Sequence, residues 1–367
     1  MATAVILNVR QIVLVQTAVG DYRQAFLDVV LSRLGAQFRV YAGAEYFEPS
    51  TKTRVSIGNA LRPLRNRFLF GRRLLWQSGS LAAARGADVA ILEFNPRILS
   101  VWLLLILRRL RNRPTLLWGH AWSRSGRSSR SEPVRRAMRR LANGAIVYTR
   151  TQQRELSEVD SPDRVFVAPN ALYPAELMQP AEPTSPPDSF LYVGRLVPAK
   201  KPDVLLEAFL RVHEELPAGT RLVIVGGGPL LASMRARAAE APEAHVEFQG
   251  HTTDVDVLRH LYERAIVAVS PGFVGLSITQ SLGFGVPMLI SRDEPHCPEI
   301  EAARHGWNAL AYSPSSPESL ARILLQTALE GGSAWASRSE ISADCRDRYS
   351  AETMAAGFLE AIEVVGR

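Results

Sequence analysis

Residues 190–209 read FLYVGRLVPAKKPDVLLEAF. An apolar run, Phe190 to Val193, breaks at Gly194 and gives way to a segment with Leu205, Leu206 and Phe209 at helical spacing. Strand, turn and helix in that order are half of a βαβ unit, which predicts a parallel sheet covered by helices. The turn holds Arg195, Lys200 and Lys201 at the carboxyl end of the strand, the edge where open α/β sheets bind ligands. Cations beside a helix amino terminus oppose its dipole. A bound anion relieves that conflict, and Arg195 and Lys200 suit a phosphate by two-pronged and point-charge contact.

Working outward, the same rhythm recurs. In the second half, residues 189–195, 221–228, 245–250, 265–272 and 287–291 read as strands with helices between, and 351–365 as a last helix. In the first half, 11–19, 38–43, 87–94, 115–120, 144–149 and 164–170 read as strands. The segments around 21–34, 71–84, 97–111, 131–142 and 151–158 read as helices. Between the halves, YPAELMQPAEPTSPPDS (173–189) is rich in Pro and Ser and has no periodicity, as a linker would. The expected fold is α/β, with two Rossmann-like doubly wound domains facing each other across a cleft. Its parts are a first domain at 1–172, a linker at 173–188, a second domain at 189–350, and a helix at 351–367 packing back on the first.

The 367 residues, 47% hydrophobic and 22% charged, are too many for one ordinary core and fit two. Two cysteines cannot form a disulfide framework, and the amino terminus does not read as a signal peptide, so a cytoplasmic location is expected. The most apolar window, ILSVWLLLIL (98–107), is about half the length of a spanning helix. Charge is uneven. Residues 1–180 hold 27 Lys/Arg against 12 Asp/Glu, and residues 51–140 alone hold 20 against 3. Such a field attracts anions: nucleic acid, anionic lipid or a phosphorylated substrate. No nucleic-acid motif accompanies it. RVSIGNALRPLRNRFLFGRRLLW (54–76) mixes Arg with Leu, Phe and Trp, which suits an anionic membrane face or a pyrophosphate-linked lipid acceptor. RILSVWLLLILRRLRNR (97–113) reads instead as a buried crossover helix with a basic end, and SRSGRSSRSEPVRRAMRR (123–140) as a loop lining the acceptor site.

Two further loops lie on the ligand edge of the second half. RLVIVGGGPLLASMRA (221–236) is strand, three glycines, Pro and helix; Gly226 to Gly228 let a ligand come close to the backbone. VSPGFVGLSITQSLGFGVPMLIS (269–291) is strand, glycine loop and helix, and places the amides of Leu276 and Ser277, after Gly275, at a helix start suited to a diphosphate. Asp254 and Asp256 precede VLRHLYERA and read as helix caps rather than metal ligands.

In this order, VGRLVPAKKPDVLLEAF, LVIVGGGPL, VEFQGHTTDVDVLRHLYERAIVAVSP, GLSITQSLGFGVPMLIS and PEIEAARHGWNAL resemble the retaining glycosyltransferases of family 4, which have the GT-B fold. The resemblance covers most of 189–312. The first half matches more loosely, through VGDYRQAF (19–26), LLWGHAW (116–122) and VFVAPNALY (165–173). It implies a hexosyltransferase that moves sugar from a nucleotide-diphosphate-sugar to a saccharide or polyprenyl-diphosphate-linked saccharide, in surface or exopolysaccharide synthesis. It also implies no metal and no cofactor. The basic first half adds the expectation of an enzyme peripheral to the inner membrane face. Arg195 and Lys200 match the basic pair on the donor diphosphate, and Lys201 falls where the family commonly has glycine. Gln249, Gly250 and His251 match the nucleobase loop, and Gly228 lies in the adjacent glycine turn. Gly20 matches a first-domain loop over the phosphates, and His120 a histidine near the transferred sugar. One departure stands out: Gly272 and Gln280 occupy the positions of the family's two glutamates. Gln280 can still bond a ribose, whereas Gly272 offers no side chain. A non-catalytic partner subunit and a nucleotide-sugar epimerase are the alternatives.

Overall fold

The computed structural model describes residues 10–49, 51–123, 126–330 and 335–367. The chain divides into two units, one of residues 1–174 with 351–367, the other of residues 175–350.

The strands of the first unit are β1 (Ile12–Gln16), β2 (Phe38–Ala42), β3 (Leu61–Pro63), β4 (Arg65–Leu69), β5 (Leu74–Ser78), β6 (Val89–Glu93), β7 (Thr115–Trp118), β8 (Gly144–Val147) and β9 (Val165–Val167). Its helices are α1 (Gln24–Leu34), α2 (Ser80–Ala84), α3 (Leu99–Leu110), α4 (Glu132–Leu141) and α5 (Arg150–Ser157), with a long C-terminal helix at Ala351–Gly366. Seven strands form one parallel sheet in the order β3-β2-β1-β6-β7-β8-β9. Strand β1 shows why both faces are covered. Ile12 and Leu14 enter one core, while Val13 and Val15 enter the other. Alternate side chains of a pleated strand point to opposite faces, so an unbroken apolar run demands a helix layer on each. The C-terminal helix supplies part of one layer. Phe358 is fully buried against Phe26, Phe38 and Trp118, ring centroids 5.2–6.1 Å away, a side chain worth about 2–3 kcal/mol of burial.

The second unit has β10 (Ser189–Val193), β11 (Arg221–Val225), β12 (Val246–Gly250), β13 (Ala265–Ser270), β14 (Met288–Ser291) and β15 (Ala309–Tyr312). Its helices are α6 (Pro202–Val212), α7 (Leu231–Ala239), α8 (Val255–Glu263), α9 (Ser277–Gly283), α10 (Pro317–Glu330) and α11 (Arg338–Tyr349), so the C-terminal helix is α12. The parallel order β12-β11-β10-β13-β14-β15 is the 3-2-1-4-5-6 winding of the Rossmann fold. Winding reverses between β10 and β13, and ligands of such sheets bind outside the carboxyl ends of the strands at that point.

Three readings change. The helix expected over 71–84 is instead β5 followed by the single turn α2, and β4 and β5 form an antiparallel hairpin. An apolar run such as LLW, bounded by Arg and Gly, does not distinguish helix from strand; pairing with RNRFL decided it. Of the stretch 123–140 read as a loop, residues 132–140 belong instead to the helix expected around 131–142; Arg124 and Ser125 lie outside the described residues. The segment 173–188 is not free of structure. From Ala175 it straps onto the second unit, with Met178 and Ala181 buried and Asp188 ion-paired to Arg221 and Arg264. Helix α3 is a crossover as expected, but it is buried along one face only, with Ile106 and Leu110 exposed. Its Arg108 is fully enclosed, donating to the carbonyls of Ala84, Ala87 and Pro114 and to Thr115 Oγ1. Among the described residues no helix is long and apolar enough to cross a membrane.

Candidate functional site

At the switch point of the second sheet, the loop after β10 meets the loop after β13. Arg195 is exposed, and among the described residues its guanidinium has no hydrogen-bond or ion-pair partner. Its carbonyl is held by the Tyr192 hydroxyl (2.9 Å), which fixes the turn. Lys200 is half-buried. Its ammonium donates to the Phe273 carbonyl (2.6 Å) and lies 3.9 Å from the Phe273 ring centroid. Burial pushes Lys200 down to about 8; the nearby Arg195 adds to this, and Cys297 and Glu299 oppose it. A side chain at Gly275 would reach within 3.8 Å of that ammonium, so Lys200 sits beside the start of α9. There Leu276 and Ser277, first in the helix, leave their amides without intrahelical acceptors. A guanidinium, an ammonium and helix-start amides share this edge, an arrangement that suits a diphosphate.

The glycines reveal what shapes the loops. Gly272 is buried, and a Cβ there would stand 2.5 Å from the Lys200 carbonyl carbon and 2.7 Å from the Ala199 oxygen. Backbone of the first loop thus fills the space through which an acid at this position would emerge. Gly226 (φ +144°) and Gly228 (φ +155°) pack their α-carbons against the carbonyls of Gly194 and Leu196, at 1.9 Å and 2.3 Å from an added Cβ. Their requirement for glycine therefore comes from the neighbouring turn of the protein itself. Lys201 adopts φ +48°, a left-handed conformation that favours glycine. Its ammonium is paired with Glu294 (2.5 Å).

The remaining second-unit candidates are more dispersed. Gly250 (φ +74°) ends β12, and its carbonyl accepts from the Gly226 amide (2.7 Å), joining the two loops. Gln249 is exposed, its amide bonded to Glu247 (3.2 Å). His251 is exposed, and its Cβ lies 4.0 Å from where a Cβ on Gly227 would be. Gln280 is buried inside α9, at 7% exposure. Asp254 caps α8, accepting from the Asp256 and Val257 amides.

Sequence reasoning missed His296. Its Nδ1 accepts from the Val274 amide (3.0 Å) and its Nε2–H donates to the Ser291 carbonyl (2.7 Å), while the Cys297 amide donates to the Val274 carbonyl (2.9 Å). Together they pin the 272–276 loop from below. Burial lowers the His296 pKa, keeping the neutral imidazole this bonding pattern needs.

In the first unit, Gly20 and His120 lie past the carboxyl ends of β1 and β7. Gly20 is buried under the Tyr22 ring and starts the turn that delivers Arg23. His120 is exposed, its ring edge-on to Tyr148 at 4.9 Å, and its carbonyl is held by Arg135. Arg23, which no sequence signal marked, is buried 4.5 Å from the Trp118 ring centroid and donates to the Tyr148 hydroxyl (3.3 Å). Winding in this sheet reverses between β1 and β6, and Glu93 ends β6 there. Its carboxyl accepts from the Thr17 amide (2.7 Å) and Asn95 (3.4 Å), and burial raises its pKa. A cavity of about 570 Å³ lined by Arg139, Arg140, Asp160 and Arg164 opens at the amino ends of β8 and β9, the edge opposite these groups.

Residues 176–340 match the family described as Glycosyl transferases group 1. A mannosyltransferase of Mycobacterium tuberculosis, the GDP-mannose-dependent alpha-(1-6)-phosphatidylinositol dimannoside mannosyltransferase, is 31% identical over 137 residues, 36% of this chain and 34% of that protein. The match thus spans about a third of the relative's length. In fold, the chain is similar to Anabaena Alr3699/HepE in complex with UDP (TM-score 0.67, 16% identity, covering 96% of this chain and 99% of that one). It is likewise similar to the lipopolysaccharide outer core galactosyltransferase WaaB (TM-score 0.68, 14% identity, covering 96% and 99%). The architecture is α/β of the GT-B type, and residues 176–340 carry a glycosyl transferases group 1 domain.

Proposed function

We propose that the chain is a retaining glycosyltransferase of family 4, moving a sugar from a nucleotide-diphosphate-sugar to a saccharide or lipid-linked saccharide acceptor in surface polysaccharide synthesis. It acts in the cytoplasm, peripheral to the membrane. The observation that carries this reading is the pairing of Arg195 with Lys200 beside the α9 amides, at the switch point of a glycosyl transferases group 1 domain. The mannosyltransferase relative uses GDP-mannose by name, and HepE was solved with UDP, so a nucleoside diphosphate is the expected occupant.

In the reaction, the bond from the sugar's anomeric carbon to the diphosphate oxygen breaks, and the acceptor oxygen bonds that carbon on the same face. The acceptor proton passes to the departing phosphate. Arg195 and Lys200 stabilise charge growing on the leaving group, each worth about 3 kcal/mol as a preorganised donor. Gly272 supplies no carboxylate nucleophile, and the backbone packed over it leaves no space for one. This favours same-face departure over a covalent intermediate. No step calls for a metal or cofactor.

The same closure at Gly272 gives weight to a second reading, a non-catalytic partner that binds nucleotide. Calorimetry against a panel of nucleoside diphosphates, followed by release of nucleotide from matched nucleotide-sugars with and without saccharide acceptors, separates the cases. Acceptor-dependent release, abolished by Arg195→Ala, supports transfer. Binding without release supports the partner, and release without any acceptor points to the epimerase.

A further inference from the structure

The β4–β5 hairpin belongs to neither main sheet. Its inner face fastens it to the body: Leu75 and Gln77 are fully buried. Asn66 donates to the Thr17 carbonyl (2.9 Å) and Gln77 to the Gln16 carbonyl (2.9 Å), at the carboxyl end of β1. The outer face carries Arg65, Arg67 and Leu69 opposite Ser78, Trp76 and Leu74, none of them buried. At the tip, Leu69 is 38% and Phe70 75% exposed.

The charge here differs from that of the buried arginines. Arg108, Arg135 and Arg139 spend their guanidinium groups on carbonyls and carboxylates inside the fold. Arg65 and Arg67 have no hydrogen-bond or ion-pair partner among the described residues. From Lys52 to Arg85 the sequence has eight basic and no acidic side chains. Apolar side chains at the tip, an indole half-exposed behind them and cations along the strands repeat the layering of a bilayer, from acyl chains to phosphates.

We propose that this hairpin docks the chain on an anionic lipid bilayer. Phe70 and Leu69 enter below the headgroups, Trp76 lies at the interface, and Arg65 and Arg67 meet the lipid phosphates. The proposal rests on the transferase reading only for its purpose, which is to hold the carboxyl edge of the first sheet near a lipid-linked acceptor.

The test is co-sedimentation of the full chain with phosphatidylcholine vesicles, with and without about a quarter phosphatidylglycerol, alongside light scattering without lipid. Wild-type protein should bind the phosphatidylglycerol vesicles and lose them at high salt. Arg65→Ala with Arg67→Ala should weaken partition about 25-fold, about fivefold per arginine (about 1 kcal/mol). Phe70→Ser should weaken it about tenfold. Thermal midpoint and UDP affinity should stay at wild-type values in these variants. Failure of the wild type to bind, equal binding to phosphatidylcholine alone, or undiminished binding by the variants overturns the proposal. So does a variant effect confined to association between copies of the chain. Vesicle binding by a chain that binds no nucleotide would support docking and count only against the transferase reading.

Discussion

Raising the pH from 7 to 9 should weaken nucleotide binding through one group, Lys200. Its ammonium, packed on Phe273 and bonded to that residue's carbonyl, is held down to about 8 by burial. Without ligand it is about nine-tenths charged at pH 7 and about one-tenth at pH 9. A diphosphate nearby favours the charged form and raises the pKa of the bound state. Binding therefore takes up a proton above pH 8, and affinity should fall about tenfold between pH 7 and 9, about 1.4 kcal/mol. The phosphates of UDP carry negative charge throughout that range, and His296, its pKa lowered by burial, is already neutral. Calorimetry of UDP and GDP binding at both pH values, in buffers of different ionisation enthalpy, reads affinity and proton uptake together. Uptake should approach one proton at pH 9 and be small at pH 7. Lys200→Gln should remove the pH slope and cost about 10- to 150-fold at pH 7, the range for a hydrogen bond to a charged group. A flat affinity in the wild type, or the same slope in Lys200→Gln, would refute the assignment of this lysine to the diphosphate.

Other outcomes follow from the same geometry. Lys201→Ala, which severs the pair to Glu294, should leave nucleotide affinity within about twofold by calorimetry, because that ammonium is already engaged by the largely buried Glu294 carboxylate. Gly272→Glu, which restores the resembling family's acid, should not raise turnover. It should lower the urea midpoint by about 1–3 kcal/mol of stability, since the added Cβ meets the Ala199–Lys200 backbone. Gly226→Ala, at φ +144° with a Cβ 1.9 Å from the Gly194 oxygen, should cost at least about 3 kcal/mol by the same measurement. Glu93 has its carboxyl pKa raised by burial, so its contribution to stability is present at low pH and is lost as pH rises through the folded-state value. Glu93→Gln should therefore gain on the wild type in urea midpoint between pH 5 and pH 8; an unchanged difference would contradict this.

The alternation of apolar runs and amphipathic segments was enough to place the strands of both sheets that carry the ligand edges. Parallel strands buried on both faces write themselves as short runs such as VILV-like IVLV and FLYV, which periodicity detects. Arg195 and Lys200 were legible for a similar reason: cations at a helix start need an external explanation. The hairpin was not legible as such, because the partner of LLW lies across a turn rather than at a fixed spacing. Strand β15, short and half-exposed at its middle, also went unread.

By itself, then, the chain's order of strand, turn and helix determined the doubly wound class, and the position of its cations marked the edge proposed to bind anions. Tertiary structure alone decided which of those cations remain available: Lys201 is consumed by Glu294, while Arg195 is left exposed and Lys200 is desolvated against Phe273. It also decided that Gly272 is closed by backbone and that His296 holds the loop. The physical reason is that charge availability, desolvation and excluded volume depend on atoms far apart in sequence, which local periodicity does not encode.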